Sequence, residues 1–190
     1  GLGVFVRLAA RGVPVTGVGR SATKIDALNA FLAANHLDQH ASEVVLDLDR
    51  PDSELASLVA AATILISASQ ANYCSLCLHM SHSLQFVAAL GSTRVFSTHP
   101  DDAIKPICEL ETDISSGTTP GILLLPSMLY AGIGYNNFER IERLVHLSPL
   151  IPLPAGAARA KVQPIHTDDV VECLMQAIGA RECSTPVVLV

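Results

Sequence analysis

Residues Gly1 to Arg20 read GLGVFVRLAARGVPVTGVGR, and this stretch decides the fold. Val4, Phe5, Leu8 and Ala9 make one apolar face at helical spacing. Arg11-Gly12 closes that helix, because glycine accepts the left-handed backbone common at helix C-termini. Val13 to Val18 follows as a buried strand, and Arg20-Ser21 stands just past its end. A glycine, a short helix, a glycine and a strand make the second half of a βαβ unit entered part-way. No strand precedes Gly1, and most of a G-x-x-G-x-x-G turn would lie upstream of it. The expectation is a sheet lacking its first strand, in a natural chain that is longer or pairs with a partner. The abrupt last strand, Pro186 to Val190, points the same way.

Outward from there, helices and strands alternate. Ser21 caps a helix running to about Asn35, with Ile25, Leu28 and Leu32 on one face. Glu43 to Leu48 reads as a strand, Pro51-Asp52 starts a helix through Leu55, Leu58 and Val59, and Thr63 to Ser67 (TILIS) is a short strand. A long helix is expected over 72–90, ending at Gly91, and then a strand from Arg94 to Ser97. A helix around 103–116 carries Ile107, Leu110 and Ile114, and Gly121 to Leu125 (GILLL) is a strand stopped by Pro126. Beyond it an amphipathic helix spans 136–147 with Phe138, Ile141, Leu144 and Val145. A proline-rich loop (SPLIPLPAG) and a strand near 161–165 follow. A helix through Val170, Val171, Leu174, Met175 and Ile178 leads to the last strand. This rhythm implies an α/β fold with a doubly wound, mostly parallel sheet over residues 1–126. Residues 127–190 form a small C-terminal lobe whose last strand returns to the sheet, all within one compact domain.

Composition narrows the class. Of 190 residues, 49% are hydrophobic and 16% charged, enough apolar mass for a sizeable core. The mean hydropathy of +0.41 comes from short Val/Ile/Leu runs, which suit strands covered on both faces. A formal charge of −6 argues against a nucleic-acid surface, which needs a basic face. No apolar run is long enough to span a membrane. Five cysteines, an odd count without framework spacing, favour reduced thiols and a cytoplasmic setting.

Four segments carry a family likeness. They are GLGVFVRLAARGVPVTGVGRS, VVLDLDRPDSELASLV, LLLPSMLYAG and PIHTDDVVECLMQAI. In order and spacing they resemble the extended or atypical short-chain dehydrogenase/reductase family, nearest its nucleoside-diphosphate-sugar epimerase-like and NmrA-like members. Leu125 stands where that family usually has Arg. The resemblance implies an NAD(P)-binding Rossmann fold, with the cofactor pyrophosphate on the amides and dipole of the first helix. Gly1 then is the last glycine of the phosphate turn. Asp47 accepts from the adenine amino group beside the Leu48 backbone. The small residues Ser67, Ala68 and Ser69 let backbone approach the ribose. The backbone after Pro126 faces the nicotinamide, and the substrate lies between the sheet edge and the small lobe.

The end of the strand at 13–18 bears on cofactor choice. An acid there accepts from a ribose 2′-hydroxyl, whereas a base pairs with a 2′-phosphate. Here Arg20-Ser21 follows, with Lys24 nearby and no acid, so NADP(H) is expected over NAD(H). Plainer readings stand beside these. Gly1 is then merely the first residue, Arg20 a solvated arginine, Asp47 a turn former ahead of Pro51, and Ser67-Ala68-Ser69 a turn.

Catalysis is harder to find. The family's engine is a Ser/Thr near a strand end plus a Tyr-x-x-x-Lys pair, in which Tyr moves the proton and Lys lowers its pKa. Four residues after Tyr73, Tyr130 and Tyr135 stand Cys77, Gly134 and Glu139, so that pair is missing. Ser97, Thr98 and Tyr130 are the remaining weak candidates. Ser97 more naturally caps a turn in STHPDD, Tyr130 packs as an aromatic between lobes, and His166 orients the helix start at Asp168-Asp169. Cys74, Cys77, His79 and His82 contain C-x-x-C spacing but share one expected helix, where buried thiols are the better reading and no metal site is assigned. Ser97, His99 and Asp101 superficially form a triad along one loop, without a G-x-S-x-G elbow.

Two functions follow. The first is an NAD(P)-binding dehydrogenase-like protein, as an enzyme an oxidoreductase or sugar-nucleotide epimerase working by hydride transfer on a small-molecule substrate. The second is a non-catalytic dinucleotide sensor or structural subunit, which the missing Tyr-x-x-x-Lys pair favours. Association with further copies of the chain is left open.

Overall fold

The computed structural model describes residues 1–81, 83–99, 101–131, 136–147, 163–181 and 186–189. Helix α1 (Leu2–Ala10) buries Val4, Phe5, Leu8 and Ala9, the face set by its sequence periodicity. Gly12, at φ +72°, turns the chain out of it and donates to Ala9 O at 2.9 Å. Then come β1 (Val15–Gly19), α2 (Ala22–Ala34), β2 (Ala41–Val45), α3 (Ser53–Ala61), β3 (Ile64–Ser67) and α4 (Ala71–Met80). The chain continues through β4 (Phe86–Leu90), α5 (Lys105–Ser116), β5 (Gly121–Pro126), β6 (Met128–Tyr130), α6 (Asn136–Leu147), β7 (Pro164–His166), α7 (Thr167–Ala180) and β8 (Val187–Leu189).

The helix starts follow local chemistry. The Ser21 hydroxyl accepts from Lys24 N–H at 3.4 Å, and Asp52 Oδ1 accepts from Leu55 N–H at 2.9 Å. Proline in the first turn of α5 loses no helical hydrogen bond. The His166 imidazole caps α7, its Nδ1 accepting from Asp168 N–H at 3.1 Å.

All the ladders are parallel. Strands β1 and β2 pair with each other, β3-β4-β5-β8 form a four-stranded sheet, and β6 pairs with β7. In β4, Phe86 and Ala88 face one cluster and Val87 and Ala89 the other. The first cluster takes Val4 and Leu8 from α1 and Val171, Leu174 and Met175 from α7. The second takes Ala71 and Cys74 from α4 and Ile107, Leu110 and Ile114 from α5. Helices therefore cover both faces of a parallel sheet, the doubly wound arrangement. Gly3 is what lets α1 close on α7, since a Cβ there would sit 2.8 Å from Val171 Cγ2. Arg7 and Glu172 pair across the same contact at 2.7 Å.

The sheet layer is in two parts. Val15 of β1 and Ile64 and Ile66 of β3 pack against the same core cluster. Among the described residues, however, β1 pairs only with β2, and β3 pairs with β4 alone on its other side. Val15 N–H donates to His40 O, and Gly19 O accepts from Leu46 N–H. Alternation along a parallel ladder then turns the Val15, Gly17 and Gly19 amides toward β2, and those of Thr16 and Val18 toward the open edge. The expected result in amide hydrogen exchange is that Thr16 and Val18 exchange about 100-fold or more faster than Gly17 and Gly19. Equal protection of all four would show that β1 is paired on both sides.

Three expectations need correction. The long helix expected over 72–90 ends at Met80, and its last five residues, Phe86–Leu90, are strand β4. Arg94 to Ser97 is not a strand: Thr93–Phe96 is a 3-10 turn after β4. The strand expected as buried over 13–18 is only half covered, with Val13 42% and Val18 39% exposed. The cause is that β1 is paired on one edge only and covered by α1 on one face. Helix α6 matches its expected bounds, though Ile141, Leu144 and Val145 remain about half exposed. The proline-rich loop and Tyr135 lie outside the described residues.

Candidate functional site at the strand ends

Apart from Pro126, the residues singled out for binding stand at the C-terminal ends of β1, β2 and β3 or at the start of α1. Gly1, at the start of α1, lies beside the end of β3: a Cβ built on it would be 3.6 Å from Ala68 Cβ. The backbone N–H groups of the first turn of α1 lack helical acceptors there, and no side chain caps them. Arg20 follows the last residue of β1, with 71% of its side chain exposed. Asp47 and Leu48 follow β2, Leu48 packing partly into the cluster of Leu46, Leu55 and Val59. Ser67 ends β3 and is buried, its hydroxyl 3.2 Å from that of Ser69.

A chain of polar contacts links the ends of β1 and β2 to helix α4. Asp47 Oδ1 accepts from Asp49 N–H at 3.1 Å, so Asp47 also shapes the turn. Asp49 Oδ2 lies 3.8 Å from Arg20 Nη1. Asp49 Oδ1 accepts from the Tyr73 hydroxyl at 2.5 Å. That hydrogen bond is the first reason the Tyr73 phenol is held above its ordinary pKa, followed by desolvation and the Asp49 charge. Asp49 and Tyr73 were not legible as partners of Arg20 in the sequence. Asp49 sits in the same DLDRPD turn as Asp47, but Tyr73 lies on α4, 24 residues further on. The Ser21 hydroxyl is taken by the α2 cap. Pro126 ends β5, buried, and its carbonyl accepts from Thr93 Oγ1 at 3.4 Å.

The catalytic candidates fare differently. Ser97 and Thr98 do not stand at a strand end. They are exposed residues beyond the 3-10 turn, and the Ser97 hydroxyl accepts from His99 N–H at 3.1 Å as a turn former. The residues that do follow β4 are Gly91, Ser92 and Thr93, which the misplaced strand concealed. The Ser92 hydroxyl caps the 3-10 turn by accepting from Arg94 N–H. Tyr130 lies on β6 with its ring edge-on to His166, centroids 5.1 Å apart. Its carbonyl accepts from Thr167 Oγ1 at 2.9 Å.

Cys74 and Cys77 are buried on α4. Burial pushes the Cys74 thiol up to about 12, and raises Cys77 as well. A raised thiol pKa leaves less thiolate, the reactive form. With iodoacetamide at pH 8, the exposed Cys108 is expected to alkylate first among the described cysteines and Cys74 to stay unmodified in the native protein. Mass spectrometry showing Cys74 modified as fast as Cys108 would contradict its burial.

No protein-family model and no curated protein matches the chain. Solved structures do. The NADPH-bound short-chain oxidoreductase of Pseudomonas aeruginosa PAO1, described as containing an atypical catalytic center, is 12% identical, with a TM-score of 0.68 over 100% of this chain and 90% of its own. Vestitone reductase from alfalfa is 14% identical, with a TM-score of 0.64 over 98% of this chain and 70% of its own. The nucleoside-diphosphate sugar epimerase of Corynebacterium glutamicum is 13% identical, with a TM-score of 0.60 over 96% of this chain. The chain spans 48% of that epimerase's length. These proteins are of the kind that the four sequence segments resemble. Identity this low speaks for architecture alone, and the chain has the Rossmann-like, doubly wound α/β fold that these oxidoreductases and the epimerase share.

Proposed function

We propose that the chain binds a nicotinamide dinucleotide across the strand ends as a short-chain dehydrogenase-like protein, with NADP(H) preferred over NAD(H). The observation that carries this reading is that Gly1 lies against Ala68 and that Arg20, Asp47 and Ser67–Ser69 stand at the C-terminal ends of β1, β2 and β3. The residues present fit such a group. Uncapped amides at the start of α1 offer donors to a pyrophosphate. The Arg20 guanidinium, largely exposed, offers a planar fork to a 2′-phosphate. Asp47 keeps Oδ2 for an adenine amino group while Oδ1 holds the turn. The short side chains of Ala68 and Ser69 leave the backbone after β3 open to a ribose, and the backbone past Pro126 flanks the nicotinamide. The substrate side is assigned to the segment beyond Pro126 that carries the β6–β7 pair. When bound, the dinucleotide would supply hydride transfer at a carbinol or carbonyl carbon.

The side chains available for proton transfer favour a second reading. Tyr73 is committed to Asp49, and no Tyr in the sequence has a Lys four residues on. A non-catalytic dinucleotide sensor or structural subunit uses the same binding edge without a proton-transfer pair. Calorimetric titration with NADPH and NADH tests the shared claim: binding of NADPH supports it, and no heat from either at millimolar concentration overturns it. Turnover of carbonyl compounds or sugar nucleotides by the loaded protein then selects the enzyme, and binding without turnover selects the sensor.

A further inference from the structure

We propose that Asp49 sets the balance between the two dinucleotides at this edge, an inference that rests on the dinucleotide-binding reading above. The sequence shows Arg20 without an acid at the end of its own strand, which by itself points only to a 2′-phosphate. The fold supplies the acid from elsewhere. Asp49, from the turn after β2, brings a carboxylate oxygen to 3.8 Å from the Arg20 guanidinium.

One oxygen can act in two ways. A 2′-phosphate reaching Arg20 must displace or face this carboxylate, so Asp49 weakens NADPH binding by competing for the guanidinium and by charge repulsion. A ribose 2′-hydroxyl carries no charge and can donate to the same oxygen, so Asp49 strengthens NADH binding. Tyr73 regulates the competition. Its hydroxyl holds Oδ1 at 2.5 Å and so restrains the carboxylate, leaving Oδ2 to Arg20 or to the ribose. Because Arg20 and Asp49 are both more than half exposed, the pair is loose enough for a ligand to part it.

The test is titration of the intact chain and two variants with NADPH and NADH, read by nicotinamide fluorescence. Asp49→Asn keeps the Asp49 backbone bond to Asp47 and the shape of the side chain, removes the charge and turns one acceptor oxygen into an NH2 donor. It is expected to tighten NADPH about five- to tenfold and to weaken NADH about threefold or more. Tyr73→Phe releases the carboxylate toward Arg20 and is expected to shift the NADPH/NADH ratio the other way, about two- to threefold. Circular dichroism of both variants checks that the fold is kept. If both dinucleotides bind and Asp49→Asn leaves their ratio unchanged, this inference is overturned while the binding reading stands. If neither dinucleotide binds to any form, the binding reading itself fails and carries this inference with it.

Discussion

Arg20→Ala is expected to weaken NADPH binding about 10- to 100-fold while moving NADH less than about threefold. At its C-terminal end β1 delivers Arg20 with 71% of its side chain exposed. Arg20 pairs with Asp49 at 3.8 Å, too long for a strong charge-assisted hydrogen bond. A guanidinium so placed exchanges its pair with Asp49 for two parallel N–H···O bonds to a dianion. Arginine contacts of this kind contribute about 1.5–3 kcal/mol, which sets the expected loss. NADH lacks the phosphate, so it does not draw on that contact. Titration of wild type and variant with both dinucleotides checks it, and a parallel loss for NADPH and NADH would move Arg20 from phosphate recognition to general support of the site.

Phe86→Ala is expected to cost about 3–5 kcal/mol, a large share of the total stability of a domain this size. Phe86 is the largest fully buried side chain and is 0% exposed. It opens β4 and packs in the cluster that joins α1 and α7 to the sheet, with Val4, Leu8, Leu174 and Met175. Removing the ring leaves a cavity where helices and strands from distant parts of the sequence meet, so neighbours collapse into it poorly. Phe86→Leu fills most of the volume and should cost much less. Urea unfolding followed by circular dichroism separates the two: a lower midpoint with unchanged slope is expected for Phe86→Ala, whereas a loss under about 1 kcal/mol would mean the site is loosely packed.

Phe86 also explains where the sequence was legible and where it was not. Helix α6 emerges at its expected bounds because its apolar residues keep a 3.6 period, and β5 because Gly121 and Pro126 bound a short apolar run. The run FVAAL is different. Its residues 86–89 are fully covered on both faces, so no alternation marks it as a strand, and its alanines suit a helix equally well. Gly91 after it therefore reads as a helix end, which moves the expected next strand to 94–97 and sets Ser97 and Thr98 at a strand end that the structure does not have. Strand β6 is three residues long and leaves almost no pattern to read.

The binding edge was legible in pieces. Arg20, Asp47 and Ser67 each follow or end an apolar strand, and the alternation of strands and helices puts such positions on one side of a parallel sheet. What joins them was not legible, because the Tyr73–Asp49–Arg20 contacts depend on how α4 packs beside the β2 turn. Among the described residues β1 pairs with β2 and β3 with β4, which leaves the other edge of β1 open.

The measurement that tests the central claim most directly is the amide NMR spectrum of the labelled chain titrated with NADPH. The account predicts shifts concentrated at Leu2 to Val4, Arg20 and Ser21, Asp47 to Asp49 and Ser67 to Ser69. The opposite end of the sheet supplies the contrast, a shallow depression lined by Glu111, Ile114, Ser115, Thr118, Thr119 and Gly121. Shifts centred on those residues, or no saturable shifts at the strand ends, would contradict it.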